Sequence, residues 1–259
     1  MRTVLCAGIV LAMLMPAEAG DWGGYASLGV GLAPDYLGSK YYMVVPYAEA
    51  RLNDGNYYAR FEGNTLRFNL VDDDHFHMGP LVGLRYGRGD TDCPSVWHMR
   101  HVDDSGTAGA FIEYENVGKD PRYGQTVTLS AREGVIGNGD GLSIGLSANA
   151  RAPVNFIDRG LIASIEGDIS WADAPYMHAF FDVTPTDALA SGLPPFRAEA
   201  GFTSAGIALS LDQFFSRHWS AGLRFHYAQM LGDAGSSPVT AIAGSRDQYF
   251  VGIVGGYAL

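Results

Sequence analysis

The stretch that decides the fold is the last one in the chain, Gln248-Tyr249-Phe250-Val251-Gly252-Ile253-Val254-Gly255-Gly256-Tyr257-Ala258-Leu259. Successive side chains of a β-strand point to opposite faces, so every second residue shares a face. One face of this stretch has tyrosines at both ends and aliphatic residues between them, and the other face is thinned by glycine. An apolar strand with aromatic ends is typical of a β-barrel in a lipid bilayer, where every strand edge must be paired. We therefore expect this stretch to close such a barrel.

The composition is compatible with a membrane β-barrel, although the apolar content could also fill the core of a soluble protein. Of the 259 residues, 47% are hydrophobic and 17% are charged, and glycine and aromatic residues are abundant. No stretch beyond residue 20 has the ~18 consecutive apolar residues that a membrane-spanning helix needs, so a helical membrane protein is excluded. The net charge of −11 argues against nucleic acid or an anionic lipid surface as the partner.

The first twenty residues are typical of a secretory signal peptide. An arginine precedes an apolar run, and Ala17-Glu18-Ala19 provides an A-x-A cleavage site. We expect residues 1–19 to be removed and residues 20–259 to form a single barrel domain. Cys6 would leave with the signal peptide, so Cys93 would have no partner for an intramolecular disulfide.

Alternating apolar and polar residues predict an all-β fold, a transmembrane antiparallel β-barrel of about twelve strands with both termini on one side. Asp54-Gly55 carries the strongest short hairpin signal, and residues 184–192 predict a short helix. The third strand is predicted as one long strand with a bulge at Gly63. The strands are predicted at residues 27–33, 42–52, 57–71, 75–86, 108–116, 123–132, 141–151, 161–170, 196–203, 207–213, 218–228 and 248–259.

Two connections are long, and their position decides which compartment they face. With the termini in the periplasm, the predicted strand order places both Gly87–Thr107 and Trp171–Pro195 on the periplasmic side. Bacterial barrels usually have short periplasmic turns. Either these loops have a function in the periplasm, or the predicted strands are miscounted by one.

Charged residues recur on the small-residue faces of the predicted strands, where they would point into the barrel. Because unpaired charges in a narrow interior are costly, paired charges that fill the lumen are the simplest interpretation. A selectivity filter for solutes is the alternative. The predicted lumen charges are Arg60, Glu62, Arg67, Arg85, Arg132, Arg151, Glu166, Asp168 and Arg224.

Three patterns that could carry chemistry have simpler explanations. Gly141-Leu142-Ser143-Ile144-Gly145 matches the nucleophile elbow of hydrolases, but that motif needs a strand-turn-helix context and this one lies within a predicted strand. His75-x-His77 could ligate a metal ion from one strand face. So could Cys93, His98 and His101 in the first long loop, although their spacing is irregular. A solvated turn and a free thiol explain these residues better, so we predict a non-enzymatic protein without a cofactor or metal site.

Several segments, in order along the chain, resemble the MltA-interacting protein (MipA) / OmpV family of outer-membrane proteins. The sequence departs from the family pattern at Asp182, where the family has glycine, and at Leu259, where outer-membrane strands commonly end in phenylalanine. The resembling segments are Pro34-Asp35-Tyr36-Leu37-Gly38-Ser39 with Val45-Pro46-Tyr47, Gly79-Pro80 with Leu84-Arg85-Tyr86-Gly87-Arg88, Ala172-Asp173-Ala174-Pro175-Tyr176-Met177 with Phe180-Phe181-Asp182-Val183-Thr184 and Ala188-Leu189-Ala190-Ser191-Gly192-Leu193, and Leu231-Gly232-Asp233-Ala234 before Ser236-Ser237-Pro238-Val239. The family-motif residues singled out are Pro34, Tyr36, Gly38, Ser39, Tyr176, Val183, Thr184, Ser191, Gly192, Ser237 and Pro238.

The resemblance implies an outer-membrane barrel in contact with lipid, and a non-enzymatic scaffold. The named member of the family brings a lytic transglycosylase, which cleaves murein, to a murein synthase. OmpV-like members are implicated in adhesion and permeation. We therefore expect a scaffold that links murein hydrolase and synthase through periplasmic loops, with a small-solute pore or an adhesin as the alternative. A barrel enzyme that acts on lipid through Ser143 is a third hypothesis.

Overall fold

A computed structural model describes residues 22–89, 91–138 and 141–259. The predicted signal peptide, and residues 139 and 140 of a predicted turn, lie outside the described residues. Within them, twelve antiparallel strands form one closed barrel in sequence order, and the last strand pairs with the first. The strands are β1 (Gly23–Pro34), β2 (Tyr42–Asp54), β3 (Tyr57–Glu62), β4 (Thr65–Asn69), β5 (Phe76–Arg85), β6 (Ser105–Val117), β7 (Gly124–Ile136), β8 (Leu142–Pro153), β9 (Leu161–Ala172), β10 (Gly201–Phe214), β11 (Trp219–Met230) and β12 (Asp247–Ala258).

The closing strand has its apolar face outside the barrel. β12 pairs with β1 from Leu32↔Val251 to Tyr25↔Ala258, which completes the ring. Val251 is 50% exposed and Leu223 of β11 is 55% exposed, whereas Gly252 and Val254 are buried on the inner side. A soluble sandwich would bury the aliphatic rows and expose the charges. The predicted fold class, an all-β transmembrane barrel of about twelve strands, is confirmed.

Aromatic residues border the apolar outer surface at both ends of the barrel, as in barrels that sit in a bilayer. At the end that carries the termini, Trp219 packs against Tyr257 with ring centroids 5.0 Å apart. At the opposite end, Tyr227 packs against Tyr249 with centroids 5.1 Å apart. These rings mark the two levels at which the surface meets the lipid headgroups. We refer to the two ends as the terminal end and the distal end.

The single long strand predicted at residues 57–71 is wrong, because this segment is a short hairpin. Gly63 adopts a φ of +61°, and with Asn64 it forms a two-residue turn between Glu62 and Thr65, which are paired. Gly-Asn is a hairpin signal in its own right, and a glycine in the left-handed region reverses the chain rather than bulging it. The predicted bulge at Gly63 is therefore a turn.

The predicted strands at 196–203 and 207–213 are also wrong, because they form one strand, β10. The chain runs through Ser204-Ala205-Gly206 with an irregularity between Phe202 and Ser204 instead of turning. The two errors cancel, so the predicted number of strands is right. Every strand between these two errors runs opposite to its predicted direction. The predicted position of both long connections at the terminal end is therefore wrong.

The connections at the two ends of the barrel differ in length. Short turns lie at the terminal end, at residues 55–56, 70–75, 118–123, 154–160 and 215–218. The distal end carries the hairpin turn at 63–64, the loops at 35–41 and 137–141, and three much longer loops, at 86–104, 173–200 and 231–246. We call the three long loops, together with the loop at 35–41, the cap.

The cap is a packed structure with its own small cores. Val183, Val239 and Met99 come from three different loops and are nearly fully buried against one another. The predicted short helix is confirmed, with Thr184 capping its first turn and Gly192 ending it at a φ of +74°. The helices of the cap are α1 (Pro94–Trp97), α2 (Ala174–Phe181), α3 (Pro185–Ser191), α4 (Gly232–Ser236) and α5 (Pro238–Ala241).

The short hairpin leaves a gap in the barrel wall. β2 has 13 residues, but β3 and β4 have only 6 and 5. β3 pairs with residues 49–54 of β2, and the backbone N–H of Gly63 donates to the carbonyl of Ala48. Residues 42–47 of β2 therefore have a strand partner on the β1 side only. We call this opening, between residues 42–47 and the distal end of β5, the window.

Candidate functional site: a charged lumen

A cavity of about 1290 Å³ lies inside the barrel and is lined mainly by the inward faces of the strands. Every residue of the predicted lumen set lines it, because each lies in register with the small inward-facing residues. It extends from Ser220 and Tyr257 at the terminal end to Tyr36 and Gln248 beneath the cap. The members of that set along its wall are Arg60, Glu62, Arg67, Arg85, Arg132, Arg151, Glu166, Asp168 and Arg224.

Arg224 of β11 is the centre of one ion-pair group. Its Nη2 lies 2.6 Å from Glu49 Oε1, and its Nη1 lies 2.9 Å from Asp212 Oδ1. Glu49 belongs to β2, so this arginine bridges strands on both sides of the β1–β12 seam. On the same side of the lumen, His226 Nε2 lies 2.9 Å from Asp168 Oδ2.

A second group lies beside the short hairpin. Glu62 Oε2 lies 3.2 Å from both Arg60 Nη2 and Arg67 Nη2. Arg67 also approaches Glu113 Oε2 at 3.7 Å. The buried Glu113 accepts hydrogen bonds from the hydroxyls of Tyr58, at 2.9 Å, and Thr128, at 2.8 Å. These contacts satisfy a carboxylate that would otherwise be costly to bury.

Glu115 is the centre of a third group, which sequence reasoning missed. Its carboxylate lies 3.4 Å from Arg151 Nη2, 3.6 Å from His77 Nε2 and 3.7 Å from Arg51 Nη1. Arg51 and Glu115 occupy strands separated by β3, β4 and β5, so this contact crosses part of the lumen. The same alternation along β6 places Glu113 and Glu115 on one face, and that signal could have found Glu115.

Two arginines in the distal half of the lumen donate hydrogen bonds to neutral side chains. Arg132 Nη1 donates to Thr65 Oγ1 at 3.0 Å, and Arg85 Nη2 donates to Ser143 Oγ at 3.2 Å. The Arg85 guanidinium also lies over the ring of Tyr176, 4.6 Å from its centre. No carboxylate of the described residues lies within ion-pair distance of Arg132. This part of the lumen is therefore locally cationic, although the whole chain is acidic.

The family-motif residues singled out above converge in the cap, except Pro34, which ends β1. The Ser237 hydroxyl donates to the carbonyl of Phe181 at 2.6 Å, and the Gly38 N–H donates to Gln248 Oε1 at 3.1 Å. The first bond joins two loops, and the second joins a loop to the start of β12. The structure thus brings together, at one end of the barrel, Tyr36, Gly38, Ser39, Tyr176, Val183, Thr184, Ser191, Gly192, Ser237 and Pro238.

Arg88 is an unusual buried group of the cap. It is 3% exposed, and none of its guanidinium nitrogens has a hydrogen-bond partner among the residues that the structure describes. Burial, together with the positive charge of Arg100, lowers the pKa of Arg88 to about 10. The hydroxyl of Tyr36, which is close enough to feel this charge, is also buried, near Cys93 and Ser39.

The patterns considered for chemistry have structural roles. Ser143 lies inside β8 and donates to the Arg132 carbonyl at 3.4 Å, not on a strand-turn-helix elbow. The Cys93 thiol contacts the Ala243 carbonyl at 3.6 Å, and a ring nitrogen of His98 bonds to the Pro94 carbonyl at 2.6 Å. In the described part of the chain, no three His, Cys, Asp or Glu side chains are grouped so that they could hold a metal ion.

The closed sheet, the apolar outer surface and the polar lumen define a transmembrane β-barrel of the outer-membrane class. Among the helices of the described residues, none is long and apolar enough to cross a bilayer. The chain belongs to the MipA family, described as MltA-interacting protein MipA, whose sequence model matches residues 26–259. The family predicted from the motifs is confirmed, and the protein is an outer-membrane β-barrel.

Several solved structures are similar to this one. One is an outer membrane channel from Pseudomonas putida F1, with 11% identity, a TM-score of 0.46, and coverage of 94% of this chain and 97% of that one. Another is the outer membrane channel DcaP of Acinetobacter baumannii, with 7% identity, a TM-score of 0.42, and coverage of 95% and 99%. A third is OmpT, an outer membrane protein of Vibrio cholerae, with 9% identity, a TM-score of 0.39, and coverage of 95% and 99%. No curated protein matches the chain.

Proposed function

We propose that this protein is a non-enzymatic passage for small solutes, in which the charged lumen is the path and the cap is its outer closure. The observation that supports this proposal is the cavity of about 1290 Å³ that extends from the terminal end to the underside of the cap. Ion pairs occupy much of the wall but leave this volume open. A barrel filled only for stability would leave no such space.

The orientation follows from the lengths of the connections. Outer-membrane barrels have short periplasmic turns and longer loops outside the cell. The terminal end then faces the periplasm, and the cap covers the outer mouth. A solute that arrives from outside would meet the cap first and the arginines of the distal lumen next. Such rings of charge select solutes by sign.

Conductance of the purified protein in a planar bilayer tests the proposal. We expect infrequent openings of small conductance in the wild type, because the cap is packed. Asp187→Asn, which removes a buried carboxylate that holds the cap, is expected to make openings more frequent. Arg197→Gln, in an exposed part of the cap, serves as the control. A barrel that stays sealed in all three forms would contradict a solute passage.

The description of the family as MltA-interacting protein favours a second candidate, a scaffold for murein enzymes. The cap is unsuited to it, since it lies on the outer side in this orientation. A periplasmic partner would instead meet the short turns of the terminal end. There Phe156 and Ile157 are 89% and 66% exposed, which is unusual for side chains outside the apolar belt.

Capture of a purified lytic transglycosylase or murein synthase by the barrel in detergent tests the scaffold. The double variant Phe156→Ser with Ile157→Ser should lose capture if this turn is the contact. Phe215→Ser, at another exposed turn of the same end, is the matched control. Failure of the wild type to capture either enzyme would remove the scaffold, whatever the conductance experiment gives.

A further inference from the structure

The window opens the lumen toward the bilayer, beneath the cap. Val44 and Pro46 frame it on β2, Tyr86 frames it beyond β5, and Asn64 lies below it at the tip of the hairpin. All four also line the central cavity, so the frame and the lumen belong to one space. Val44 is 68% exposed on the outer face, at the upper part of the apolar surface.

The backbone at the window requires a polar neighbour. The Ala48 carbonyl points toward the hairpin, so the backbone groups of every second residue beyond it face the window. Pro46 has no N–H, and its position removes one donor that would have no partner there. The N–H of Val44 also points into the window. Since an unsatisfied donor in hydrocarbon costs several kcal/mol, the window must admit water or a polar ligand group.

A cationic site lies directly inside the window. Arg132 reaches the hairpin tip through its hydrogen bond to Thr65, and the positive charges of Arg67 and Arg85 act on it from nearby. We call Arg85, Arg132, Thr65 and Thr107 the arginine site. Like charges repel one another unless an anion lies between them.

An unpartnered hydroxyl also points to a ligand at this site. Thr107 is 4% exposed and lines the cavity, and its Oγ1 has no hydrogen-bond partner among the described residues. Gly83 lies between Thr107 and Thr65, and a Cβ there would come within 3.4 Å and 3.3 Å of their hydroxyl oxygens. A side chain at position 83 would therefore crowd both hydroxyls. Two hydroxyls beside two guanidinium groups suit a carboxylate, sulfate or phosphate.

We propose that the window and the arginine site together bind a single-chain anionic amphiphile. The headgroup accepts hydrogen bonds from Arg132, Arg85 and Thr107, and the acyl chain passes between Val44 and Tyr86 to the bilayer. The acidic character of the whole chain does not oppose this, because the site is enclosed and locally cationic. The inference rests on the proposed passage for its biological setting, but binding is measured without current, so the two can fail separately.

Binding of cis-parinaric acid, a naturally fluorescent fatty acid, to the full barrel in zwitterionic nanodiscs tests the proposal. Arg132→Gln is expected to weaken binding about tenfold or more, as loss of a charge-assisted hydrogen bond does. Val45→Trp, which fills the window from the lumen side, should weaken binding comparably. Arg197→Gln in the cap and Val127→Trp on the apolar surface are the matched controls. Heat-modifiable migration in gels identifies the variants that are folded.

Competition distinguishes a bound amphiphile from a bound anion. Dodecanoate should displace the probe, whereas inorganic phosphate and dodecyltrimethylammonium should not. If phosphate competes as well as dodecanoate, the site binds a free anion and the window has no part in binding, which overturns the proposal. Equal binding by the wild type and both folded site variants, or equal competition by the cationic amphiphile, would also overturn it.

Discussion

Arg88 brings a full positive charge into the cap without an acceptor. Its pKa of about 10 still leaves the guanidinium charged at neutral pH, because burial lowers the pKa without bringing it into the physiological range. The charges of Asp187 and Asp182 act on it only from beyond ion-pair distance, and a buried cation without a directly paired anion costs free energy in the folded state. Its neighbour Tyr36, whose pKa burial raises, stays neutral and offers no compensating charge.

We therefore predict that Arg88→Met stabilises the barrel by about 1 kcal/mol or more, since replacing a buried ion by an apolar side chain is neutral or favourable. The measurement is the temperature at which the compact form is lost in heat-modifiable gels. Arg197→Met, at an exposed arginine, should leave this temperature unchanged. A lower temperature for Arg88→Met would mean that the guanidinium has a bound partner.

Single residues also show where prediction from the sequence ends. Alternation places Arg224 and Glu49 on the inward face of their strands, but it cannot pair them. Their contact spans 175 positions in the sequence and depends on the register around the whole ring. The orphan Thr107 hydroxyl has no sequence signal, because its isolation results from what surrounds it.

At the scale of elements, helix α3 carries a titratable residue, Asp187, that holds it to another loop of the cap. Asp187 accepts hydrogen bonds from the backbone N–H of Arg100 and from Thr184, and its carboxylate lies 3.8 Å from Arg100 Nη1. Burial alone would raise the pKa of Asp187, but these hydrogen bonds outweigh it and hold the pKa below its usual range. The charged form therefore stabilises the folded cap.

The predicted pH dependence follows from the sign of this shift. Because the folded pKa lies below the unfolded value of about 4, the stabilisation is complete above that value and is lost as the pH falls through the folded pKa. We predict that the cap loosens below about pH 4. Asp187→Asn should loosen it at neutral pH as well, by about 1–3 kcal/mol.

Limited digestion measures this loosening. At neutral pH, trypsin should cleave after Arg100 faster in Asp187→Asn than in the wild type. At low pH, pepsin should cut the wild-type cap as readily as that of the variant. Asp173→Asn, which changes the N-terminal capping residue of helix α2 instead, is the comparison. Unchanged digestion at both pH values would show that Asp187 does not hold the cap.

The elements also show which sequence signals were strong and which were ambiguous. Clean alternation and terminal aromatics predicted most strands to within a few residues. Glycine within two positions of a small polar residue was ambiguous: Gly63-Asn64 is a tight turn, whereas Ser204-Ala205-Gly206 continues a strand. Both segments are permissive locally, and only pairing with neighbouring strands decides between them.

At the scale of the whole molecule, the strand directions place all four loops of the cap at one end. This orientation predicts that the cap is accessible from outside the cell and that the turn at residues 154–160 is not. Leu189 in the cap is 90% exposed and Phe156 in that turn is 89% exposed, so they are equally reachable in the free protein.

A membrane-impermeant maleimide on intact cells tests this orientation. Leu189→Cys should be labelled on intact cells, whereas Phe156→Cys should be labelled only after the outer membrane is permeabilised. The native Cys93 is buried, so the unsubstituted protein should not be labelled and serves as the background control. The reverse labelling pattern would mean that the barrel is inserted with the cap toward the periplasm.

The Gly38 N–H donates to Gln248 Oε1 and Gln248 Nε2 donates to the Ser39 carbonyl, so two hydrogen bonds connect the first loop of the barrel to the start of its last strand. Such a contact requires β12 to be seated beside β1, so the roof of the barrel cannot be completed while the ring is open. During insertion, the nascent cylinder would stay uncovered until its final hydrogen-bonded seam is made. A packed roof therefore shows that the barrel has closed. A chain that fails to join its ends leaves the outer mouth open, and proteases can then reach the loop side chains that are buried in the closed barrel.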